Sequence, residues 1–567
     1  MKGKSPTDQL IDNAAERLYL SVGLLCSVAG NQPAAQHGER ELDLKRDQEV
    51  VLKSTLDDLG LWATIKRFPK AVLVCQLVCI AAAADGYQLQ LNGNIIANQG
   101  FINKVGFPIA EGVYTLHADY TALWRAMQSL GQLVGMLLLN PISDKVGRKM
   151  TMYILWAIIC GSLIIESTAS DWKMWTGAKL LAGIGIGSLQ ATLPVYVTEW
   201  SPVNIRGANI LAYGLWNNVG KFFAPLALYI VQQSNNVTNY KVPILTQWGF
   251  LAVMLPIFLW LPETPYYYAE RDEDEKGKAT LRRVNGNVEG YDLEEEYAII
   301  KNTILEERRE MEHLGLNNHD FKQLIRSYVE CLRGTNARRT FASALPACAQ
   351  QLTGLAFLGT YASLFFKQSG FSNPFLITTI FTVIAIGTYI VTMLTSDYFG
   401  RRRIVLVSVI VATVCMLVVG VLGIFKQTPQ LKNLLIFVGC VWDFFNIALG
   451  GLGWSFVGEI SSQKLRVRTA GIAAALSVIF GLIFNTSVPI MINVDGANWG
   501  YNTGWLFLGT GVCVSILVYF YVPEPSQRNS AEMDEMYEKG VPAWRMRKYV
   551  TDVQRMQQRN ISGTPMA

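Results

Sequence analysis

Hydrophobic runs of about 20 residues, the length that carries a helix across a hydrocarbon core, alternate with short polar stretches over most of this chain. About twelve such runs stand out, near 71–92, 125–142, 150–169, 175–198, 208–231, 244–262, 341–366, 374–396, 403–425, 433–458, 469–492 and 502–522. Their length and scarcity of charge predict membrane-spanning helices throughout. A charged segment, 263–340, divides the runs six and six. Within it Leu293, Tyr297, Ile300 and Ile304 recur at helical spacing among glutamates, which predicts an amphipathic helix resting on a surface. Residues 1–68 are polar apart from Leu18 to Ala29, a run too short to cross a bilayer, and Pro523-Glu524-Pro525 ends the last run. The expected organisation is an N-terminal segment 1–68, a six-helix bundle 69–262, a linker 263–340, a second bundle 341–522 and a tail 523–567.

The polar punctuation repeats. Ser143-Asp144-Lys145-Val146-Gly147-Arg148-Lys149 returns as Ser396-Asp397-Tyr398-Phe399-Gly400-Arg401-Arg402, and Glu199 with Arg206 returns as Glu459 with Arg466. Two echoes in one order indicate a duplicated half. Duplicated membrane-embedded halves are the sequence trace of secondary transporters, whose solute site lies between repeats that rock against each other. Composition points the same way: of 567 residues, 51% are hydrophobic and only 16% charged, more apolar surface than a soluble fold of this size needs.

The net charge of +5 is no nucleic-acid signal, because the basic residues fall on alternate loops. Lys145, Arg148, Lys149, Arg206, the 263–340 segment, Arg401 to Arg403, Lys464 to Arg468 and Arg545 to Lys548 would share one side. The positive-inside rule makes that side cytoplasmic, together with both termini, and the plasma membrane is the expected location. Opposite loops hold scattered lysines and the sequon Asn236-Val237-Thr238, a glycosylation candidate at Asn236. Most of the nine cysteines lie inside apolar runs, without paired spacing, and the four histidines belong to no metal-ligand pattern. No cofactor, metal or nucleic acid is expected, and no nucleophile, base and orienting group share a spacing that suggests an enzyme. The expected partners are a small solute and the lipid bilayer, with protons as a candidate co-substrate and a monomer as the working form.

Several motifs, in order across residues 69–550, resemble the sugar porters of the major facilitator superfamily. Asp144 to Lys149 is similar to the family's loop between spans two and three, with Asn140 in place of the usual glycine. Gly183, Gly185 and Gly187, then Pro194, Tyr196, Glu199, Pro202, Arg206 and Gly207, resemble the span-four signature, with Lys179 where arginine is usual. Leu261-Pro262-Glu263-Thr264-Pro265 and Gln350-Gln351-Leu352-Thr353-Gly354 look like the motifs after span six and in span seven. Arg333-Gly334-Thr335-Asn336 and Gly458-Glu459-Ile460-Ser461 resemble the fungal branch of α-glucoside, maltose and lactose permeases. The resemblance implies an all-α membrane protein with twelve transmembrane helices in two pseudo-symmetric six-helix bundles, the major facilitator fold. It implies a secondary transporter moving a sugar or glycoside-like solute by alternating access, through proton symport or facilitated diffusion. The alternatives are a carrier of a fungal secondary metabolite and, less favoured by the short tail, a non-transporting sugar sensor.

Gate chemistry follows from the repeated charges. An aspartate at a span end can accept hydrogen bonds from the amides that open the next helix, while a neighbouring arginine pairs with a carboxylate on another helix. The resemblance implies that Asp144, Arg148, Glu199 and Arg206, with Asp397, Arg401, Glu459 and Arg466, form cytoplasmic networks that hold the outward-facing state. The alternative is that these charges only fix topology.

A sugar presents hydroxyls that donate and accept over partly apolar ring faces, so its pocket needs amides and an aromatic platform. Gln350 and Gln351 supply amides, either for solute or as interhelical links. Trp454 occupies the family's tryptophan position, and Tyr361 and Gln88 complete the expected contacts. Gly214 and Ala356 replace the family's glutamine and asparagine, which leaves room for a bulkier or less polar solute. Proton coupling needs a carboxylate in the first span; the resemblance implies an aspartate directly after Gly86-Tyr87, where Gln88 cannot ionise, and the likeness to the α-glucoside branch, which carries a second acid just before that glycine, makes Asp85 the candidate. Lys221 and Asp443 are further charges inside the runs, each costing about 2.5 to 3.5 kcal/mol at a helix centre and so calling for a partner or a function.

Overall fold

The computed structural model describes residues 61–551 except 111–112, 203–204, 233–239, 289, 314–327, 427, 462–465, 494–495, 526–529 and 548. The Leu18 to Ala29 run and the Asn236 sequon lie outside the described residues, as do the side chains of Asp397, Glu459 and Arg466.

The first six runs form α1 (Pro69–Asn94), α2 (Ala118–Val146), α3 (Arg148–Thr168), α4 (Trp172–Trp200), α5 (Arg206–Gln232) and α6 (Gln247–Trp260, after a short turn at Lys241–Leu245). Three helices follow in the linker: α7 (Pro265–Glu270), α8 (Asp274–Asn285) and α9 (Leu293–His313). The second six runs give α10 (Gly334–Leu352) continued by a π-helical turn (Leu355–Thr360) and α11 (Ala362–Gln368), then α12 (Pro374–Phe399), α13 (Arg401–Leu422), α14 (Pro429–Ile460), α15 (Arg466–Ile492) and α16 (Thr503–Tyr521). A small hairpin, β1 (Phe107–Ala110) with β2 (Val113–Thr115), decorates the loop between α1 and α2.

Span seven is not one helix. Gly354 adopts φ +99°, a conformation that L side chains rarely hold, and breaks the rod between α10 and α11. Among the described residues nine helices are long and apolar enough to cross a membrane by themselves. The other three spans are the broken one and α2 and α5, which carry Arg125 with Gln128 and Asn217 with Lys221.

The duplication is visible in the packing. In the first half α1 packs on α5, α2 on α4 and α3 on α4; in the second half α10 packs on α15, α12 on α14 and α13 on α14. The halves meet through α2 on α15 and, by the same symmetry, α12 on α5. Tight crossings rest on glycine, as lipid supplies no hydrophobic drive between helices. A Cβ at Gly86 would stand 1.8 Å from the Asn217 carbonyl, and one at Gly220 1.9 Å from that of Ala83, so α1 and α5 touch backbone to backbone. Gly183 and Gly187 do the same for α4 against α2, at 2.2 and 2.1 Å from the Gln128 and Gln132 carbonyls.

In the linker, Tyr297 and Ile304 of α9 turn inward, Tyr297 over Gly277 of α8. The Tyr297 hydroxyl donates to Asp274 at 3.0 Å and the Lys301 ammonium at 2.5 Å, which holds the Asp274 carboxyl below the usual range.

Candidate functional site

At the end that carries the basic loops, Arg148 opens α3 and reaches two carboxylates. Its Nη2 and Nε donate to Glu199 Oε1 at 3.0 and 3.3 Å, and its Nη1 to Asp144 Oδ1 at 2.8 Å. The α2–α3 turn is made at Gly147, φ +106°, and its repeat at Gly400 has φ +87°. Asp144 does not accept the amides that open α3. Glu263 does, taking Arg148 N at 3.1 Å and Lys149 N at 3.0 Å. A side chain arriving from beyond α6 can face those amides head on, whereas Asp144 lies on the preceding turn and is drawn to the Arg148 guanidinium. Burial pushes the Glu263 carboxyl up in spite of these amides. In the second half Glu524 accepts Arg402 N at 3.4 Å, so Pro523-Glu524 is the structural repeat of Pro262-Glu263, a third echo that the intervening sequence differences conceal. Arg206 is not drawn into the Arg148 cluster, and its buried Nε has no hydrogen-bond partner. Arg401 lines a cleft between the halves with Leu211, Tyr389, Gly451 and Ser455. The remaining members expected of the second network, Asp397, Glu459 and Arg466, have side chains outside the described residues.

At the opposite end α1 is tied to span seven across the halves. Ser363 hydrogen-bonds Asn94, Gln90 Nε2 donates to the Gly359 carbonyl at 3.4 Å, and the Lys367 ammonium donates to the Ala97 carbonyl at 2.9 Å. This end of the interface is closed.

Between the two ends lies a set of polar groups on both halves. Gln350 Nε2 donates to the Asn446 carbonyl at 3.3 Å, and Asn446 Nδ2 donates to Thr353 Oγ1 at 2.9 Å. The Tyr361 hydroxyl donates to the Asn485 carbonyl at 2.9 Å. From the first half, Arg125 Nη1 donates to the Leu89 carbonyl and to Gln128 Oε1, at 3.1 and 3.0 Å, and Asn92 donates to the same Gln128 oxygen at 2.5 Å. Five buried atoms here have no hydrogen-bond partner: donors Arg125 Nε and Gln128 Nε2, and acceptors Gln351 Oε1, Asn446 Oδ1 and Asn485 Oδ1. Such atoms also occur elsewhere among the described residues, and those at this interface are ones that a polar ligand or water could complete. Trp454, one face of the expected platform, is 49% exposed on α14.

Two expectations change. Gln88 does not join this set: its side chain is buried within the first bundle and donates to Glu166 Oε1 at 2.5 Å. Glu166 pairs with Lys179 at 3.0 Å, both side chains fully buried, and also accepts from Gln247 Nε2 at 3.2 Å. Replacing an acid by Gln88 in the first span is offset by an acid in the third. Gly214 leaves no extra room either, because the Tyr389 ring lies 2.9 Å from where its Cβ would be. Asp85 is buried and accepts from Gln190, Asn217 and Tyr213 at 3.0, 2.9 and 3.3 Å.

Arg125, Gln128, Glu166, Asn446 and Asn485 were not among the expected site residues. A span beginning at 125 leaves Arg125 at the water boundary, but α2 starts at Ala118 and carries it two turns inward. The available signal was the run of polar residues at one-turn spacing, Thr121, Arg125 and Gln128.

A profile of the family described as "Sugar (and other) transporter" matches residues 74–537. A major facilitator-type transporter of Aspergillus rugulosus is 25% identical over 485 residues, 82% of this chain and 87% of that protein. A probable glucose transporter of Neurospora crassa is 27% identical over 497 residues, 84% and 81% of the two chains, and the low-affinity glucose transporter HXT3 of Saccharomyces cerevisiae is 22% identical over 527 residues, 90% and 89%. Among solved structures, the inward-open xylose transporter XylE of E. coli superposes with a TM-score of 0.65 at 17% identity, covering 82% of this chain and 99% of that one. A partially occluded inward-open form of XylE gives 0.63. The fold is therefore the twelve-helix major facilitator fold, the relatives are transporters and not enzymes, and the chain is a multi-pass membrane protein that belongs to the sugar transporter family.

Proposed function

We propose that this protein moves a sugar or a closely related polyhydroxylated solute across the plasma membrane by alternating access. One observation carries the reading: Arg125 and Gln128 of the first half and Gln351, Asn446 and Asn485 of the second each hold a buried polar atom without a protein partner, and a polyol can both donate and accept. Gln351, Gln350, Tyr361 and Trp454 would contact the solute with Asn446 and Asn485, while Gln88 would act on Glu166 instead. The names of fungal relatives that specify glucose or hexose agree with this class. The α-glucoside-like motifs extend it to disaccharides.

Bundles 69–262 and 341–522 would rock about the site, with 1–68, 263–340 and 523–567 cytoplasmic. The Arg148 cluster, Arg206 and the corresponding Asp397, Arg401, Glu459 and Arg466 would latch the cytoplasmic end when the outer end opens. The ties between α1 and α11 would latch the outer end when the inner opens. Asp85, buried in a polar nest between α1, α4 and α5, is the carboxylate for proton coupling. Asn236 would be glycosylated outside.

The test is uptake of labelled glucose and maltose in transporter-deficient yeast, with and without a protonophore. Saturable uptake that the protonophore abolishes is the expected result. Absence of transport or competition by any polyol would overturn the reading and favour a secondary-metabolite carrier, which the loss of amides at Gly214 and Ala356 already makes the second choice.

A further inference from the structure

We propose that Arg125 holds an anionic group of the solute, so that this transporter carries sugar acids, polyhydroxylated carboxylates, in preference to neutral sugars. The inference rests on the reading that the interface between the halves is the solute site, and it narrows the chemical class.

Charges inside membrane spans are expensive and are normally paired. Among the described residues, those of the spans divide unequally. Lys179 has Glu166 at 3.0 Å. Lys221 lies within electrostatic reach of two acids, Asp85 and Asp443. Arg125 has no carboxylate within ion-pair distance. Lys179 and Lys221 each feel its charge in addition to those of their own acids. Two neutral acceptors, the Leu89 carbonyl and Gln128 Oε1, both bind Nη1, and Nε is buried and unsatisfied. A guanidinium offers paired N–H groups in a plane, the arrangement that receives a carboxylate bidentately. Here part of that fork is unused.

Position matters as much as charge. Arg125 stands two turns inside α2, on the helix that packs against α15 of the other half, and within electrostatic reach of Tyr361. Tyr361 binds the Asn485 carbonyl, and Asn485 and Gln351 both flank Gly481. Tyr361 therefore links the guanidinium to the neighbourhood of the amides. A carboxylate at Arg125 would place the hydroxyls of the same molecule before Gln351 and Asn485. A neutral sugar would satisfy the amides and leave the guanidinium uncompensated.

The test compares uptake of labelled D-glucose, D-glucuronate and D-galacturonate by proteoliposomes holding the wild-type protein, Arg125→Gln or Arg125→Lys, normalised to reconstituted protein. The expected result is wild-type uptake of a hexuronate, inhibited at least about tenfold more strongly by unlabelled hexuronate than by glucose. Arg125→Lys should keep part of the acid uptake, and Arg125→Gln should lose it about tenfold or more while gaining relative preference for glucose. Wild-type uptake of glucose without hexuronate would overturn the proposal and leave the sugar-transport reading standing. Failure of all three probes would overturn both. Should Arg125→Gln not reconstitute, wild-type competition alone decides, since equal inhibition by acid and neutral sugar also refutes the preference.

Discussion

The Glu166–Lys179 pair offers a direct measurement of what a buried ion pair does in this bundle. Both side chains are fully buried at 3.0 Å, between α3 and α4. Removing one partner of such a pair strands the other charge and costs about 3 to 5 kcal/mol, whereas replacing both is often close to neutral. The structure also ranks the single changes. In Lys179→Met, Glu166 keeps the Gln88 and Gln247 amides, each worth about 1.5 to 3 kcal/mol to a charged acceptor. In Glu166→Gln, Lys179 loses its counter-charge and keeps one neutral amide oxygen and the Trp175 ring at 4.5 Å, the ring worth about 0.5 to 2 kcal/mol. Glu166→Gln should therefore be the more damaging, lowering the folded-to-unfolded ratio by roughly two to almost four orders of magnitude. The double variant Glu166→Gln/Lys179→Met strands no charge and retains a side-chain acceptor for one of the two glutamines, so it should recover part of the loss. Purified protein in mild detergent, unfolded by titration with SDS and followed by tryptophan fluorescence, gives the three free energies of the cycle. Single variants within about 1 kcal/mol of wild type, or a double variant that is merely additive, would refute the assignment of an obligate pair.

Three further outcomes follow from the geometry. Glu199→Gln leaves Arg148 with Asp144, whose side chain is 64% exposed, so the latch weakens; uptake per surface copy should fall severalfold at unchanged surface expression, and unchanged uptake would remove the gating role. Gly220→Val forces a side chain against the Ala83 carbonyl, 1.9 Å from its Cβ, and should abolish the monodisperse peak in fluorescence-detected size exclusion, while Gly249→Val, with nothing within 4 Å, should not. Asp85→Asn keeps the shape of the polar nest but cannot release a proton, so solute exchange should persist while protonophore-sensitive accumulation is lost; accumulation by this variant would rule Asp85 out as the coupling group.

The spans were legible because hydrocarbon imposes one requirement, about 20 apolar residues, on each segment separately. The Arg148 cluster was partly legible for a related reason: Asp144, Gly147 and Arg148 sit on a single turn, so one motif contains most of its geometry. Glu263 escaped, as its role is to accept amides from a helix that lies more than a hundred residues earlier in the chain. The same holds for Glu524 and Arg402, and only the fold reveals that the two carboxylates are repeats of one another.

The centre of the molecule was hidden by a different cause. A polar residue within an apolar run can be a link within one half, a charge compensated from another helix, or a contact awaiting solute, and these differ only in what stands opposite. Gln88 and Gln351 are both glutamines in spans, yet the Gln88 amide donates to Glu166 within the first half, whereas Gln351 lies beside Gly481 and Asn485 of the second. Lys179 and Arg125 are both cations two turns inside their helices, yet one has a carboxylate at 3.0 Å and the other has none. Under the proposed function, groups paired within one half would hold that half together through the transport cycle, while polar groups such as Arg125, Gln351 and Asn485 would be met by a solute that binds without breaking anything that keeps the bundles folded.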